Sequence, residues 1–224
     1  MNKLLLPAFG IFLFCNLVKA EAQTPGKTEI ARWQDGKKGA VSITWDDGSI
    51  NQFKIALPIL NRLKFPATFF IITGQIPGST YQGKFIGRTV KQIIAETASI
   101  PTNKSNLFER ASAAGYLGLV GPLDYYYNAG SLVDDGKIDE ACKVIDDLYS
   151  KVRKGEFKPG IQHNTEYNDA HGTTWNDIRK YAAQGHEFAS HMITHPRLAV
   201  LDEPNMLYEL EKSKLEVFKK LYLI

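Results

Sequence analysis

The stretch that decides the fold is AVSITWDDGSINQFKIALPILNRLKFPATFFIIT, residues 40–73. Its opening, AVSITW (40–45), places Val41, Ile43 and Trp45 on one side of an alternating pattern rich in strand formers, and predicts a strand. NQFKIALPILNRLK then carries Phe53, Ala56, Leu57, Leu60 and Leu63 at helical spacing, with Pro58 expected to kink the helix or to stand near its working start. PATFFIIT (66–73) is a continuous apolar run, the pattern of a strand buried on both faces. Strand, helix, strand implies a parallel pair with a right-handed crossover, and hence an α/β fold. Between the first strand and the helix stand Asp46, Asp47 and Gly48. Asp is a poor strand residue, and adjacent like charges repel. The chain places this pair at the C-terminal end of a parallel strand, the edge at which α/β folds gather functional residues.

The strand–helix rhythm returns only at TTWNDIRKYAAQGHEFASH, residues 173–191. Thr174 is the expected N-cap, with Asp177 three residues on, and Gly185 is the expected residue just past the helix. HEFAS (186–190) reads as a short strand, after which come His191 and His195. Asp202 and Pro204 open a last helix, with Leu207, Leu210, Val217, Phe218 and Leu221 expected to face inward. The intervening residues, about 75–172, break the pattern. They hold a helix near Asn106–Ala114, a second over Ile138–Val152 with Ile138, Ala141, Ile145, Leu148 and Val152 on one stripe, and three consecutive tyrosines, Tyr125–Tyr127. This length is too great for a structureless loop, and it reads as an inserted, mainly helical subdomain.

Composition narrows the setting. The chain has 224 residues, 44% hydrophobic and 23% charged, as in ordinary globular proteins. A formal charge of +3, scattered along the chain, argues against a nucleic-acid partner. Residues 1–20 differ from the rest: a short basic start, the apolar run LLLPAFGIFLFCNLV, then small residues spaced for cleavage after Ala20 or Ala22. They read as a secretory signal peptide, which predicts a secreted, periplasmic or cell-envelope protein with no membrane attachment after cleavage. The rival reading is an N-terminal anchor, but the apolar run falls short of the roughly 20 residues that span a bilayer. Residues 21–38 form a polar, irregular lead-in, and the domain proper is expected over 39–224. Cleavage at Ala20 leaves 25 basic against 24 acidic residues, so the mature chain is close to neutral. It also leaves Cys142 alone, within an apolar helical pattern, as a small buried hydrophobe. Nothing in the pattern indicates the oligomeric state.

Two carboxylates and two imidazoles thus converge on one edge of a parallel sheet. A catalytic divalent-metal site commonly has three protein ligands and an open position for water, and two His with one carboxylate meet that count. Pro196 biases His195 away from the α region, so a tight turn is expected there. HMITH has no Glu after its first His, which excludes the zinc-protease helix motif. Either motif alone is ordinary: Asp-Asp-Gly is common in solvated turns, and His is a frequent surface residue. Their shared position at strand ends is what carries the reading. The chain holds its own control in VDDGK (133–137), where Asp134 and Asp135, just before a helix, read as capping charges.

TWDDG (44–48) and SHMITH (190–195) resemble the first two motifs of the polysaccharide deacetylases, carbohydrate esterase family four with the NodB-type domain. FPATFFIITG (65–74) and AAQGHEFASH (182–191) flank them as in that family, and the resemblance covers about residues 40–75 and 173–222. It implies an irregular (β/α) barrel and metal-dependent hydrolysis of N- or O-linked acetyl groups on a polysaccharide, usually with zinc. Carried over by position, Asp47, His191 and His195 would bind the metal and Asp46 would be the general base. Thr194 would brace the loop, and His186 would be structural.

Three departures accompany the resemblance. Trp45 and Ser49 stand where the family more often has Phe and Pro. Asp47 and His191 lie 144 positions apart, an excess supplied by the insertion, which is expected near the site rim. Its tyrosines could stack on sugars, but packing within the insertion is the expected role; His163 and His171 are read as surface residues. Lastly, no His follows His195 and 29 residues remain, so the family's base-orienting arginine and acid histidine are missing and the barrel is expected to be incomplete. Two rivals to an acetylated-glycan deacetylase stay open: a non-catalytic secreted carbohydrate-binding protein that keeps the fold, and a metal-dependent hydrolase of a small amide.

Overall fold

The computed structural model describes residues 33–160 and 173–223. The expected signal peptide, and the segment holding His163 and His171, lie outside the described residues. The chain divides into two units, Met1–Val41 and Ser42–Ile224. In the first, the described residues form one 3₁₀ turn, Gln34–Gly36, closed by the Gly36 N–H donating to the Trp33 carbonyl at 3.2 Å.

The second unit begins with β1, Thr44–Trp45, shorter than the alternating run predicts. Ile43 and Trp45 pack on the core, so pairing starts only there; the Ile43 carbonyl accepts from the Thr68 N–H at 3.0 Å. A π-helical turn, Gln52–Ala56, runs straight into helix α1, Leu57–Leu63, with Pro58 in its first turn. Proline lacks an N–H and its ring clashes with the carbonyl four residues back, so a wide turn ahead of it removes the conflict. The Leu57 N–H accordingly donates to the Gln52 carbonyl, five residues back.

Strand β2, Thr68–Ile71, lies between β1 and strand β5, Glu187–Ser190, and both pairings are parallel. The expected burial of β2 on both faces is met on one: Phe69 and Ile71 are buried, whereas Thr68 and Phe70 are half-buried. Phe69 is the hub of an aromatic stack, its ring centroid 5.4 Å from both Phe53 and Phe188 and 6.4 Å from Trp45. This core seats α1 and helix α6, Trp175–Ala183, on the sheet. Thr174 and Asp177 form the expected reciprocal cap of α6, and Gly185 follows it at φ 97°. The described residues thus form an open α/β arrangement, with no closure into a barrel among them.

Between β2 and α6 the described residues carry four α-helices: α2 (Val90–Glu96), α3 (Leu107–Ala114), α4 (Pro122–Asp134) and α5 (Ile138–Lys154). A short antiparallel pair, β3 (Leu119–Val120) with β4 (Lys158–Pro159), accompanies them. The helices share a second core, to which α5 contributes Ala141, Ile145 and Leu148 from the expected stripe, together with buried Cys142. Tyr126 is buried there, with its hydroxyl donating to the Arg197 carbonyl at 2.8 Å. Asp134 and Asp135 need correcting: they end α4 rather than cap α5, whose N-cap is Lys137. Acidic groups are unfavourable at a helix C-terminus, and here cations offset them, Arg197 at Asp134 and Lys137 at Asp135.

The last helix, α7 (Glu203–Tyr222), also departs from expectation. Val217 is buried, but Leu207, Leu210 and Phe218 are 43%, 40% and 48% exposed. The buried face is polar: Asn205, Glu209, Ser213 and Glu216. Each reaches a backbone or hydroxyl group that would otherwise be orphaned. Asn205 Oδ1 accepts from the Ile86 N–H at 2.7 Å, Glu216 Oε1 from the Thr80 N–H at 2.8 Å, and Ser213 meets the Ser190 hydroxyl at 2.9 Å. Unpaired buried polar groups are costly, so the loops beside the sheet determine which face of α7 turns inward. No helix among the described residues is long and apolar enough to cross a membrane.

Candidate metal centre

Asp47 lies two residues beyond the end of β1, in a turn where it and Gly48 take φ of 72° and 74°. An L-residue adopts this left-handed conformation at a cost, and Asp tolerates it better than most. Gly48 is required for a further reason: a Cβ there would come within 3.0 Å of Ile71 Cγ2 at the end of β2. The turn is therefore pressed against the sheet edge. Asp46, beside it, is exposed, and its carbonyl accepts from the Gln52 side chain at the start of the π turn.

His191 follows β5 directly, and its N–H donates to the Ile71 carbonyl at 2.8 Å. The chain then leaves the sheet through Met192 at φ 65° and reaches His195 at φ 59°, a tight turn before Pro196 as the sequence implies. Two backbone bonds tie this loop to the residues just past β2: the Thr73 N–H to the Met192 carbonyl at 3.0 Å, and the Gly74 N–H to the Ile193 carbonyl at 2.9 Å. A Cβ on Gly74 would lie 2.5 Å from that Ile193 oxygen, and one on Gly83 would lie 2.4 Å from Thr194 Cγ2. Two glycines thus allow the neighbouring loops to close on the 191–195 turn.

The result is that Asp47, His191 and His195 bring one ligand atom each to within 4.8 Å of one another. Asp47 Oδ1 stands 3.4 Å from His191 Nε2 and 3.5 Å from His195 Nε2, and the two rings are 4.7 Å apart at their centroids. That carboxylate oxygen is buried and has no hydrogen-bond partner. The separations are long for hydrogen bonds. They match the edge of a tetrahedron of ligands around an ion bound at about 2.0–2.1 Å, roughly 3.3 Å. Burial, then the neighbouring His195, hold the His191 pKa below its ordinary value. Its neutral form, the one that donates a lone pair to a metal, is thereby favoured. The donor set fits a divalent ion.

Residues 34–103 match the family model for polysaccharide deacetylase. The matched segment contains β1, the Asp46–Asp47 turn, α1 and β2; the His191–His195 loop lies outside it and reaches the turn through the β2–β5 pairing. No curated protein and no solved structure matches the chain.

Of the other residues singled out in the sequence, His186 lies away from the triad and Thr194 within its loop. His186 is 5% exposed, with Nδ1 accepting from the Ala67 N–H at 3.3 Å and Nε2 at 3.0 Å from Asn61 Oδ1, and it packs edge-on to Phe69. Thr194, within that loop, meets a partner that pattern reading missed. Glu209 on α7, 3% exposed, accepts from the Ile193 N–H at 2.8 Å, the Thr194 N–H at 3.0 Å and the Thr194 hydroxyl at 2.8 Å. The available signal was the polar residues Asn205, Glu209, Ser213 and Glu216, which recur three and four apart.

Proposed function

We propose that the protein is a metal-dependent deacetylase, hydrolysing N- or O-linked acetyl groups of a polysaccharide, exported to the cell envelope or beyond. The observation that carries this reading is the orphaned Asp47 Oδ1 facing two imidazole nitrogens at 3.4 and 3.5 Å, beside a second, exposed carboxylate, on the segment that resembles polysaccharide deacetylases. Asp47, His191 and His195 would hold the ion. Two imidazoles and one carboxylate suit zinc.

A divalent ion in this position supplies Lewis acidity toward a water and toward the acetyl carbonyl. The division of labour between the aspartates follows from their positions. Asp47 is turned to the imidazoles and serves as a ligand; Asp46, exposed at the strand end, accepts the proton of the attacking water and acts as general base. The same carboxyl group, once protonated, can return that proton to the departing amine or alcohol. The glycan binds across this sheet edge.

The test is acetate release from acetylated chitooligosaccharide and acetylated xylan, with and without chelator, alongside metal analysis of the purified protein. The expected result is release from at least one substrate, lost with chelator and restored by zinc. Metal and glycan bound without any release would instead support a non-catalytic carbohydrate-binding protein. Release indifferent to chelator would reject the metal-dependent reading.

A further inference from the structure

We propose that Glu209 is the positioning residue of the metal-ligand loop, an anion on α7 that holds the backbone between His191 and His195 in its ligating shape. The inference rests on the metal reading above and extends it to a residue outside the ligand set. Glu209 Oε2 takes two successive backbone N–H groups, those of Ile193 and Thr194, at 2.8 and 3.0 Å, while Oε1 takes the Thr194 hydroxyl at 2.8 Å. Successive N–H groups turned to one side form a concavity suited to an anion. Here the anion comes from the protein itself. All three donors belong to the loop that joins the two imidazoles, and that loop needs restraint. Met192 and His195 both take left-handed φ, at 65° and 59°, which the surroundings must enforce.

The carboxylate is also costly where it stands. Glu209 is 3% exposed and forms no ion pair among the described residues; Lys84, which lines the same small cavity, extends over the Tyr208 ring, 5.0 Å from its centroid. A buried charge without a counter-ion is poorly tolerated. The three loop donors compensate that charge in place of a counter-ion. Glu209 therefore links α7 to the ion: the helix fixes the loop, and the loop presents both Nε2 atoms to Asp47. Partners that orient ligands in this indirect way commonly change metal affinity by about 10- to 100-fold when altered.

The experiment compares zinc affinity, by competition with a chromophoric chelator, and the visible spectrum of the cobalt-substituted protein, for wild type, Glu209→Met, Glu209→Gln and Thr194→Val. Far-UV circular dichroism of each metal-free protein shows whether it is folded at the assay temperature. Glu209→Met removes all three acceptors at similar volume, and the expected loss of zinc affinity is about 10- to 100-fold, with an altered cobalt spectrum. Glu209→Gln keeps one oxygen for the two N–H groups and is expected to recover most of that loss; Thr194→Val removes one bond and is expected to cost several-fold. A purely structural role would lower the melting temperature of these variants yet leave affinity and spectrum unchanged in the folded protein, and that result overturns the proposal. If Glu209→Met does not fold, Thr194→Val and Glu209→Gln decide it: wild-type affinity in both overturns it. Wild-type protein that binds no zinc overturns the metal reading itself, and this proposal with it.

Discussion

Asp46 and Asp47 are neighbours with opposite surroundings, and their difference is the chemistry. Asp47 occupies a left-handed turn with a buried oxygen aimed at two imidazoles; Asp46 is open to solvent. Asp46→Asn is therefore expected to leave zinc occupancy at the wild-type level while lowering turnover by about 100-fold or more, the usual scale for losing a general base. Metal analysis and acetate release on the same preparation check it; retained turnover would contradict the role given to Asp46. Gly74 makes the complementary case. It has no chemistry, yet a methyl group there would meet the Ile193 carbonyl at 2.5 Å and push the ligand loop off the sheet edge. Gly74→Ala is expected to cost about 1–3 kcal/mol in denaturant unfolding, as overpacked sites do, and to weaken zinc binding as well.

At the scale of elements, what could be read from pattern depended on whether a segment's partners were apolar. β1, the π turn with α1, and β2 pack Trp45, Phe53, Leu57 and Phe69 against one another, so the periodicity of residues 40–73 stated the order of strand, helix and strand correctly. α5 was legible for the same reason. α4 was not: its three tyrosines and Gly130 hide a helical period, and Gly130 is needed because Arg197 crosses the helix there, its Cδ 2.7 Å from where a Cβ would stand. The face of α7 was misread because its inward partners are backbone N–H groups and a serine hydroxyl, which call for Asn205, Glu209, Ser213 and Glu216 instead of leucines. The inverted face yields a contrast between two substitutions on one helix. Leu210→Gln is expected to change unfolding free energy by no more than about 0.5 kcal/mol, whereas Ser213→Leu, which breaks a buried hydroxyl pair and overfills its site, is expected to cost about 1–3 kcal/mol. Equal effects would mean that Leu210 is the inward residue.

At the scale of the whole molecule, the candidate site joins two parts of the chain with different recognisability. Residues 34–103 match the polysaccharide deacetylase model and carry the aspartates; the histidines come from a loop beyond the match, carried to the same edge by four parallel residue pairs between β2 and β5. The His-x-x-x-His spacing singled out the two imidazoles that meet Asp47; the carboxylate that grips their loop from α7 was passed over, because its signal, polar residues recurring three and four apart from Asn205 to Glu216, competes with the leucines of the same helix. His186 adds a pH dependence to the fold. Burial holds its pKa below the ordinary value, and its Nδ1 lone pair is occupied by the Ala67 N–H. Because the folded value lies below the unfolded one, the unfolded chain takes the proton first as pH falls. The His186 contribution is then complete above about pH 6.5 and is lost as pH drops through the folded value. Urea unfolding of chelator-treated protein between pH 7 and pH 5 is expected to show this decline, and His186→Asn to show a shallower one. An unchanged slope in that variant would remove His186 from the account.

The most direct test of the central claim is a zinc titration of the purified protein, with Asp47→Asn, His191→Ala and His195→Ala measured alongside. The expected result is one zinc per chain, with affinity lost or sharply reduced in each variant while its metal-free circular dichroism matches wild type. Zinc bound with undiminished affinity by all three variants, or not bound by the wild-type protein, would contradict a shared metal centre at these residues.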